Sequence, residues 1–160
     1  MAIKVGDTVP SMKLMTATPE GPKEISTDEL FKGKKVVLFA VPGAFTPTCS
    51  MKHLPGFVQN AAAIKAKGVD EIVCMAVNDA FVLGAWAKDQ HVDGSVVMLA
   101  DGSGAFTKAL GMELDLVARG LGVRSQRFAL IAENGKVTYV AVEPPGGFEL
   151  SRAEAILEKL

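Results

Sequence analysis

The sequence predicts an α/β protein with a central mixed sheet flanked by helices. Three short, continuous apolar runs have the length of strands, and each is followed by a segment of helical periodicity. Runs of this kind are typical of parallel strands that are buried on both faces. They are residues 35–41, 71–77 and 96–100. Further along, Asn134-Gly135 separates the apolar segments 128–132 and 136–142, and this pair predicts a tight antiparallel hairpin.

Helical spacing predicts four helices around these strands. The first covers residues 48–67 and ends at Gly68. Its apolar positions are Leu54, Phe57, Val58, Ala61, Ala62 and Ile64. The second has Asn78 or Asp79 as its N-cap and carries Phe81, Val82, Ala85 and Trp86 on one side. The third covers 103–110 and the last 151–160, where Ser151 and Glu154 have the spacing of a capping box. Parallel strands with helical crossovers, then a hairpin and a helix, follow a thioredoxin-like order.

Length and composition narrow the classes of function. The 160 residues fit one domain, residues 1–160. With 17 Lys and Arg against 18 Asp and Glu, the net charge of −1 gives no basic footprint for nucleic acid or an anionic membrane. The first residues lack the features of signal and transit peptides, and no stretch is apolar for long enough to cross a bilayer, so we expect a cytoplasmic location. Two cysteines are too few for a disulfide scaffold, so each is a buried hydrophobe or a reactive group.

Cys49 lies where a helix is predicted to begin. It follows a buried strand, the turn Pro42-Gly43 and a helix start in which Thr46 or Thr48 acts as the cap and Pro47 lies in the first turn. Unpaired N–H groups and the positive end of the helix dipole favour a thiolate at this position. A dithiol exchanger would carry a second cysteine three residues away, and this chain has Thr46 there. The pattern therefore indicates one nucleophilic sulfur beside a hydrogen-bonding hydroxyl.

The segment around Cys49 resembles the signature of a known enzyme family. The spacing Pro42-x-x-x-Thr46-x-x-Cys49 matches the Pro-x-x-x-Thr-x-x-Cys signature of peroxiredoxins. The longer strings 41–50 and 52–57 are similar to those of the type II peroxiredoxins of plants and bacteria. The similarity continues through 76–79, Trp86, 99–102 and 122–128, so it covers nearly the whole chain.

The resemblance implies an antioxidant thiol peroxidase that reduces hydrogen peroxide and alkyl hydroperoxides. Cys49 would attack one peroxide oxygen and become a sulfenic acid. Thr46 would hydrogen-bond the peroxide, and Pro42 would shield the pocket from water. Arg127 would stabilise the thiolate and the charge on the leaving oxygen, whereas Arg124 is expected at the surface with a supporting role left open. The resemblance implies no cofactor, whether metal, haem or flavin.

The fate of oxidised Cys49 stays open at this point. Cys74 lies in the middle of a predicted buried strand, where cysteine commonly packs as an inert hydrophobe. Some plant relatives carry a cysteine at the matching position, so Cys74 is a candidate resolving residue that would form a disulfide with Cys49. The alternative is an external reductant, either glutathione with glutaredoxin or thioredoxin. A different class of function is a peroxide sensor, in which oxidised Cys49 signals through a mixed disulfide.

The remaining candidate residues are predicted to be structural. His53 and His91 lack neighbours at metal-ligand spacing, so no metal site is expected. His53 is predicted on a helix surface, with the alternative that it faces the site from one turn past Cys49. Phe45, Phe81 and Trp86 are predicted in the core. The resemblance implies a homodimer, and Phe45 and Phe81 are the candidates for its interface.

Overall fold

A seven-stranded mixed sheet forms the centre of the computed structural model, which describes residues 2–160. Its strands are β1 Lys13–Thr18, β2 Gly21–Ser26, β3 Lys35–Val41, β4 Glu71–Ala76, β5 Val97–Ala100, β8 Phe128–Glu133 and β9 Lys136–Val142. Their order across the sheet is β2-β1-β5-β4-β3-β8-β9, in which the central pairs β3–β4 and β4–β5 are parallel and the outer pairs are antiparallel. A separate antiparallel pair is formed by β6 Glu113–Leu116 and β7 Gly122–Ser125, with a 3-10 turn at Val117–Arg119 between them.

Five α-helices cover the two faces of the large sheet. They are α1 Thr27–Phe31, α2 Leu54–Ala66, α3 Ala80–Asp89, α4 Ala105–Ala109 and α5 Ala153–Leu157. Successive residues of β3 point to opposite faces, so Phe39 packs under α2, α3 and α5 while Leu38 packs under α1 and α4. Cys49 and Cys74 both lie in the core under α2, α3 and α5. None of the helices in the described residues has the length and apolar character needed to cross a bilayer.

The predicted strands and their hairpin are confirmed, with small shifts at the ends. Residues 71–77 form β4, which stops at Ala76, and residues 96–100 form β5, which starts at Val97. Asn134 and Gly135 both have positive φ, as the two-residue turn between β8 and β9 requires. The β1–β2 hairpin, α1 and the β6–β7 pair had no clear periodic signal. Their strands have at least one exposed face, so their apolar content is low.

The predicted capping box at the last helix is wrong. Ser151 does not cap α5; its hydroxyl and its N–H both donate to the carboxylate of Glu143, each at 2.7 Å. Arg152 is the N-cap, without a side-chain hydrogen bond, and α5 is accordingly short. The Ser151 hydroxyl therefore bonds to Glu143, which follows β9, and is not available to cap the helix.

The predicted apolar side of the second helix is only partly correct. Asp79 is the N-cap of α3, with its carboxylate accepting from the N–H of Val82. Leu83 and Trp86 are buried, whereas Phe81 is 75% exposed. The face that packs on the sheet is therefore rotated away from Phe81, which lies at the start of the helix.

Candidate active site

The helix that carries Cys49 begins at Pro47, close to the end of β3. The hydroxyl of Thr46 donates back to the carbonyl of Gly43 at 2.7 Å, and Thr48 makes no side-chain cap. Thr46 holds the predicted N-cap position, since its carbonyl accepts from the N–H of Ser50, but its hydroxyl bonds to Gly43 and makes no side-chain cap. The prediction that Cys49 lies in the first turn, after the end of a buried strand, is confirmed.

The helix opens with a π-helical turn at Cys49–His53, which the sequence pattern did not reveal. The turn is defined by a hydrogen bond from the N–H of Leu54 to the carbonyl of Cys49, five residues earlier in the chain. Pro55 follows directly and has no N–H for the carbonyl four residues before it, so a regular α-helix would be interrupted here. The π-turn accommodates this proline, and Cys49 and His53 contact a common partner.

That partner is Arg127, which lies just before β8. One guanidinium nitrogen, Nη2, donates to the sulfur of Cys49 at 3.0 Å. The other, Nη1, lies 2.7 Å from Nδ1 of His53. Cys49 is completely buried, so its sulfur meets a permanent cation in a site with little competing water.

His53 is buried and neutral, contrary to the prediction that it lies on the helix surface. Its Nε2 lies 3.0 Å from the carbonyl oxygen of Ser151. A carbonyl only accepts, so this network assigns the ring proton to Nε2 and leaves Nδ1 to accept from Arg127. Burial, and then the positive charge of Arg127, lower the pKa of His53 to about 3, although the bond to Ser151 acts in the opposite direction. His53 therefore orients Arg127 without adding charge.

Arg124 supports the loop that contains Pro42 and is not a free surface residue. Its Nη1 donates to the carbonyl of Pro42 at 3.2 Å, and its Nε donates to the carbonyl of Leu121 at 2.8 Å. A Cβ atom at Gly43 would lie 2.5 Å from Nη1 of Arg124, so only glycine admits this close approach. Sequence reasoning left a supporting role for Arg124 open, and the hydrogen bond to Pro42 specifies it.

Phe45 and Phe81 are exposed, contrary to their predicted place in the core, whereas Trp86 is buried as predicted. Phe45 is 53% exposed and has a positive φ in the loop before the helix. The N–H of Ala44 donates to Oδ1 of Asn78, which ties this loop to the connection before α3. On the buried side, Nε1 of Trp86 donates to the hydroxyl of Ser50, beside Cys49.

A cavity of about 150 Å³ opens beside this cluster, several times the ~30 Å³ that one water occupies. It is lined by Pro42, Thr48, Leu114, Gln126, Arg127, Glu143 and residues 144–147. Of the predicted site residues, Pro42 and Arg127 line it, and Cys49 and Thr46 are not among the lining residues. The cavity is large enough for hydrogen peroxide or a small organic hydroperoxide.

Cys74 lies in the middle of β4, in register with Phe39 on one neighbouring strand and Met98 on the other. It is completely buried and carries no disulfide. Burial, and then the negative charge of Cys49, raise the pKa of the Cys74 thiol, and the more weakly opposing charge of Arg127 does not reverse this. In this structure Cys74 is a protonated core residue. Within residues 2–160, no cluster of three or more His, Cys, Asp or Glu side chains is arranged to hold a metal.

The chain matches known proteins over nearly its full length. A family model described as Redoxin matches residues 4–157. Peroxiredoxin-2C of Oryza sativa subsp. japonica is 54% identical over 99% of this chain and 98% of its own length, and Peroxiredoxin-2B of Arabidopsis thaliana is 52% identical with the same coverage. The crystal structure of reduced Prx3 from Vibrio vulnificus in complex with hydrogen peroxide matches with a TM-score of 0.93 and 54% identity, covering 98% of each chain.

Because these relatives are about half identical over the whole chain, the protein is an antioxidant thiol peroxidase with a thioredoxin-like fold, as the sequence predicted. More narrowly, the chain belongs to the Redoxin family and, within it, to the type II peroxiredoxins of the plant and bacterial branch.

The buried, neutral state of His53 predicts a loss of stability in acid. Because its pKa in the folded protein lies below its ordinary value of 6.5, the folded chain binds fewer protons than the unfolded chain between about pH 3 and 6.5. This contribution is present above pH 6.5 and is lost as the pH falls toward about 3. From about pH 7 to about pH 4.5, we expect a loss of roughly 2.5 kcal/mol in the free energy of unfolding, measured by urea titration.

The control for this measurement is the other histidine, His91, whose side chain is exposed. The loss of unfolding free energy between the two pH values should be smaller in His53→Asn than in the wild type, and it should keep its wild-type size in His91→Asn. An equal pH dependence in both variants would contradict the assigned state of His53.

Proposed function

We propose that Cys49 is the residue that reduces the peroxide and that Arg127, Thr46 and Pro42 assist it. The observation that carries this proposal is the 3.0 Å contact between Nη2 of Arg127 and the sulfur of a fully buried Cys49. A thiolate held in this way is a preformed nucleophile, and the guanidinium also lies where negative charge develops as the O–O bond breaks.

The proposed reaction starts with attack of the Cys49 thiolate on one peroxide oxygen. A sulfur–oxygen bond forms as the O–O bond breaks, which leaves a sulfenic acid on Cys49 and releases the other oxygen as water or an alcohol once it has taken a proton. In this proposal Thr46 orients the peroxide. Its hydroxyl donates its hydrogen to the carbonyl of Gly43, so its oxygen is free to accept a hydrogen bond from the peroxide O–H. Pro42, held by Arg124, shields the sulfur from solvent.

Substitutions at Cys49 and Arg127 test this assignment. We expect Cys49→Ser to abolish peroxide consumption, because a hydroxyl is not ionised at neutral pH. Arg127→Gln should lower the second-order rate constant about 10²- to 10³-fold, the usual cost of removing a donor that stabilises a developing oxyanion. The matched control is Arg119→Gln, on the exposed 3-10 turn, which should keep the wild-type rate. Full turnover in Cys49→Ser would refute the assignment.

We also propose that an external thiol, supplied by glutathione with glutaredoxin or by thioredoxin, restores Cys49. Its first thiolate attacks the sulfur of the sulfenic acid, releasing water and forming a mixed disulfide, which a second thiol then reduces. The position of Cys74 supports this direction. It carries a protonated thiol on a central strand whose backbone is paired with a neighbour on each side, and a disulfide with Cys49 needs both accessible sulfur and freedom to reorient. A cytoplasmic location stays a prediction.

Intact mass after one equivalent of peroxide decides between the two ways of resetting Cys49. The proposal predicts a gain of about 16 Da, the mass of one oxygen in a sulfenic acid. It also predicts that Cys74→Ser turns over at the wild-type rate with a glutaredoxin or thioredoxin system. A loss of about 2 Da in the wild type, absent from Cys74→Ser, would instead make Cys74 the resolving residue.

We propose further that two copies of the chain associate through the face that carries Phe45 and Phe81. Both side chains are more than half exposed, and the bond between Ala44 and Asn78 holds their two segments together. Exposed aromatic side chains on adjoining segments are typical of the centre of a protein interface.

Sedimentation velocity tests the proposed dimer. Phe81→Asp should shift the protein from dimer to monomer at micromolar concentration, since a charge would be buried in the interface. Val5→Asp changes an exposed apolar residue of the N-terminal segment and should leave the distribution unchanged. A monomeric wild-type protein would overturn this proposal.

A further inference from the structure

Arg127, His53, Ser151 and Glu143 form a closed ring of side-chain and backbone hydrogen bonds beside Cys49. Arg127 contacts Nδ1 of His53, and Nε2 of His53 donates to the carbonyl of Ser151. Ser151 donates its N–H and its hydroxyl to Oε2 of Glu143. The ring closes where the N–H of Glu143 donates to the carbonyl of Arg127 at 2.9 Å. Nη2 of Arg127 points out of the ring and ends on the sulfur of Cys49.

The ring joins four separate parts of the chain. His53 belongs to the π-helical turn, Arg127 precedes β8, Glu143 follows β9 and Ser151 precedes α5. A guanidinium is planar, so its two terminal nitrogens cannot move independently. When the imidazole of His53 holds Nη1 in place, the direction in which Nη2 points is also fixed. The aim of Nη2 at the sulfur therefore depends on the orientation of His53. That orientation depends in turn on the Ser151 carbonyl.

Glu143 fixes the Ser151 carbonyl. Burial alone would raise the pKa of Glu143, but its interactions with the Ser151 hydroxyl and with the N–H groups of Ser151, Glu149 and Leu150 lower the pKa overall. The carboxylate is thus ionised and holds the chain before α5 against the end of β9. Within the described residues no ion pair joins Glu143 to Arg127, so the carboxylate acts on the guanidinium through the ring and leaves its charge available to Cys49.

We propose that Glu143 is a positioning residue for peroxide reduction, acting through Ser151 and His53 to aim Arg127 at the sulfur of Cys49. This inference rests on the function proposed above for Cys49 and Arg127. The alternative is that Glu143 only anchors α5 to the sheet. An anchor would contribute to the stability of the fold and would have no effect on the chemistry at Cys49.

The first test compares Glu143→Gln with Glu149→Gln. The two changes remove the same charge six residues apart, and Glu149 is exposed. Glutamine keeps an oxygen that can accept from Ser151, so the variant should fold. The rate of Cys49 oxidation can be followed by stopped-flow fluorescence of Trp86, the single tryptophan, which is bonded to Ser50 beside Cys49. We expect Glu143→Gln to lower the second-order rate constant about tenfold, within the range of outer-shell substitutions at other sites, and Glu149→Gln to leave it unchanged.

Nitrogen-15 NMR of the imidazole rings separates positioning from anchoring. The chain has only two histidines, so the signals of His53 and His91 are readily assigned. Glu143→Gln should shift both ring nitrogens of His53 and neither of His91. Ser151→Ala, which keeps the carbonyl but loses the hydroxyl bond to Glu143, should shift them in the same direction with a smaller loss of rate.

Combination with Arg127→Gln distinguishes failure of this inference from failure of the proposed function. If Glu143 acts through Arg127, adding Glu143→Gln to Arg127→Gln should cause no further loss of rate. An unchanged rate and unchanged His53 signals in Glu143→Gln, with Arg127→Gln strongly impaired, would overturn the positioning role alone. If Arg127→Gln itself retains the wild-type rate, the function proposed for Arg127 fails first.

Discussion

The hydrogen bond from Arg127 to the sulfur of Cys49 is the interaction on which the rest of the site depends. A thiolate in a fully buried position would be costly without a cation beside it, and the half-buried guanidinium of Arg127 needs acceptors for its N–H groups. The two groups solve this problem together. The sheet order makes their contact possible, because β8 lies directly beside β3, and the helix that carries Cys49 begins close to the end of β3.

The choice of a neutral histidine as the second partner of Arg127 has an electrostatic reason. A carboxylate at position 53 would compensate the guanidinium and would also repel the thiolate on the same face of the turn. Neutral imidazole accepts a hydrogen bond from Arg127 without either effect, and a pKa of about 3 keeps it neutral at pH 7. The negative charge of Glu143 lies further along the ring, where it orders the backbone and leaves the cation free to act on sulfur.

Sequence patterns predicted the features that depend on neighbouring residues. Buried runs identified β3, β4 and β5, Asn134-Gly135 identified the last hairpin, and the residues around Cys49 predicted its place in the first turn of a helix. The patterns failed where a contact from elsewhere in the chain decides the outcome. His53 is buried by a partner 74 residues away and another 98 residues away, and helical periodicity contains no information about either. Ser151 has the spacing of a cap, but the carboxylate of Glu143 competes for its hydroxyl. Pro55 was the one local signal that pointed to the π-helical turn.

The burial of Cys49 also constrains how the proposed cycle ends. The sulfur of Cys49 has no exposed surface, so even a peroxide in the cavity of about 150 Å³ reaches it only after local movement, and the active thiol of a protein reductant needs a larger opening. Reduction by such a partner therefore requires the turn at Cys49–His53 to open. Because both contacts of the Arg127 guanidinium lie on this turn, opening releases sulfur and imidazole together, while the backbone bond between Glu143 and Arg127 stays in place. Arg127 then remains just before β8, where it can bind the sulfur again when the turn closes.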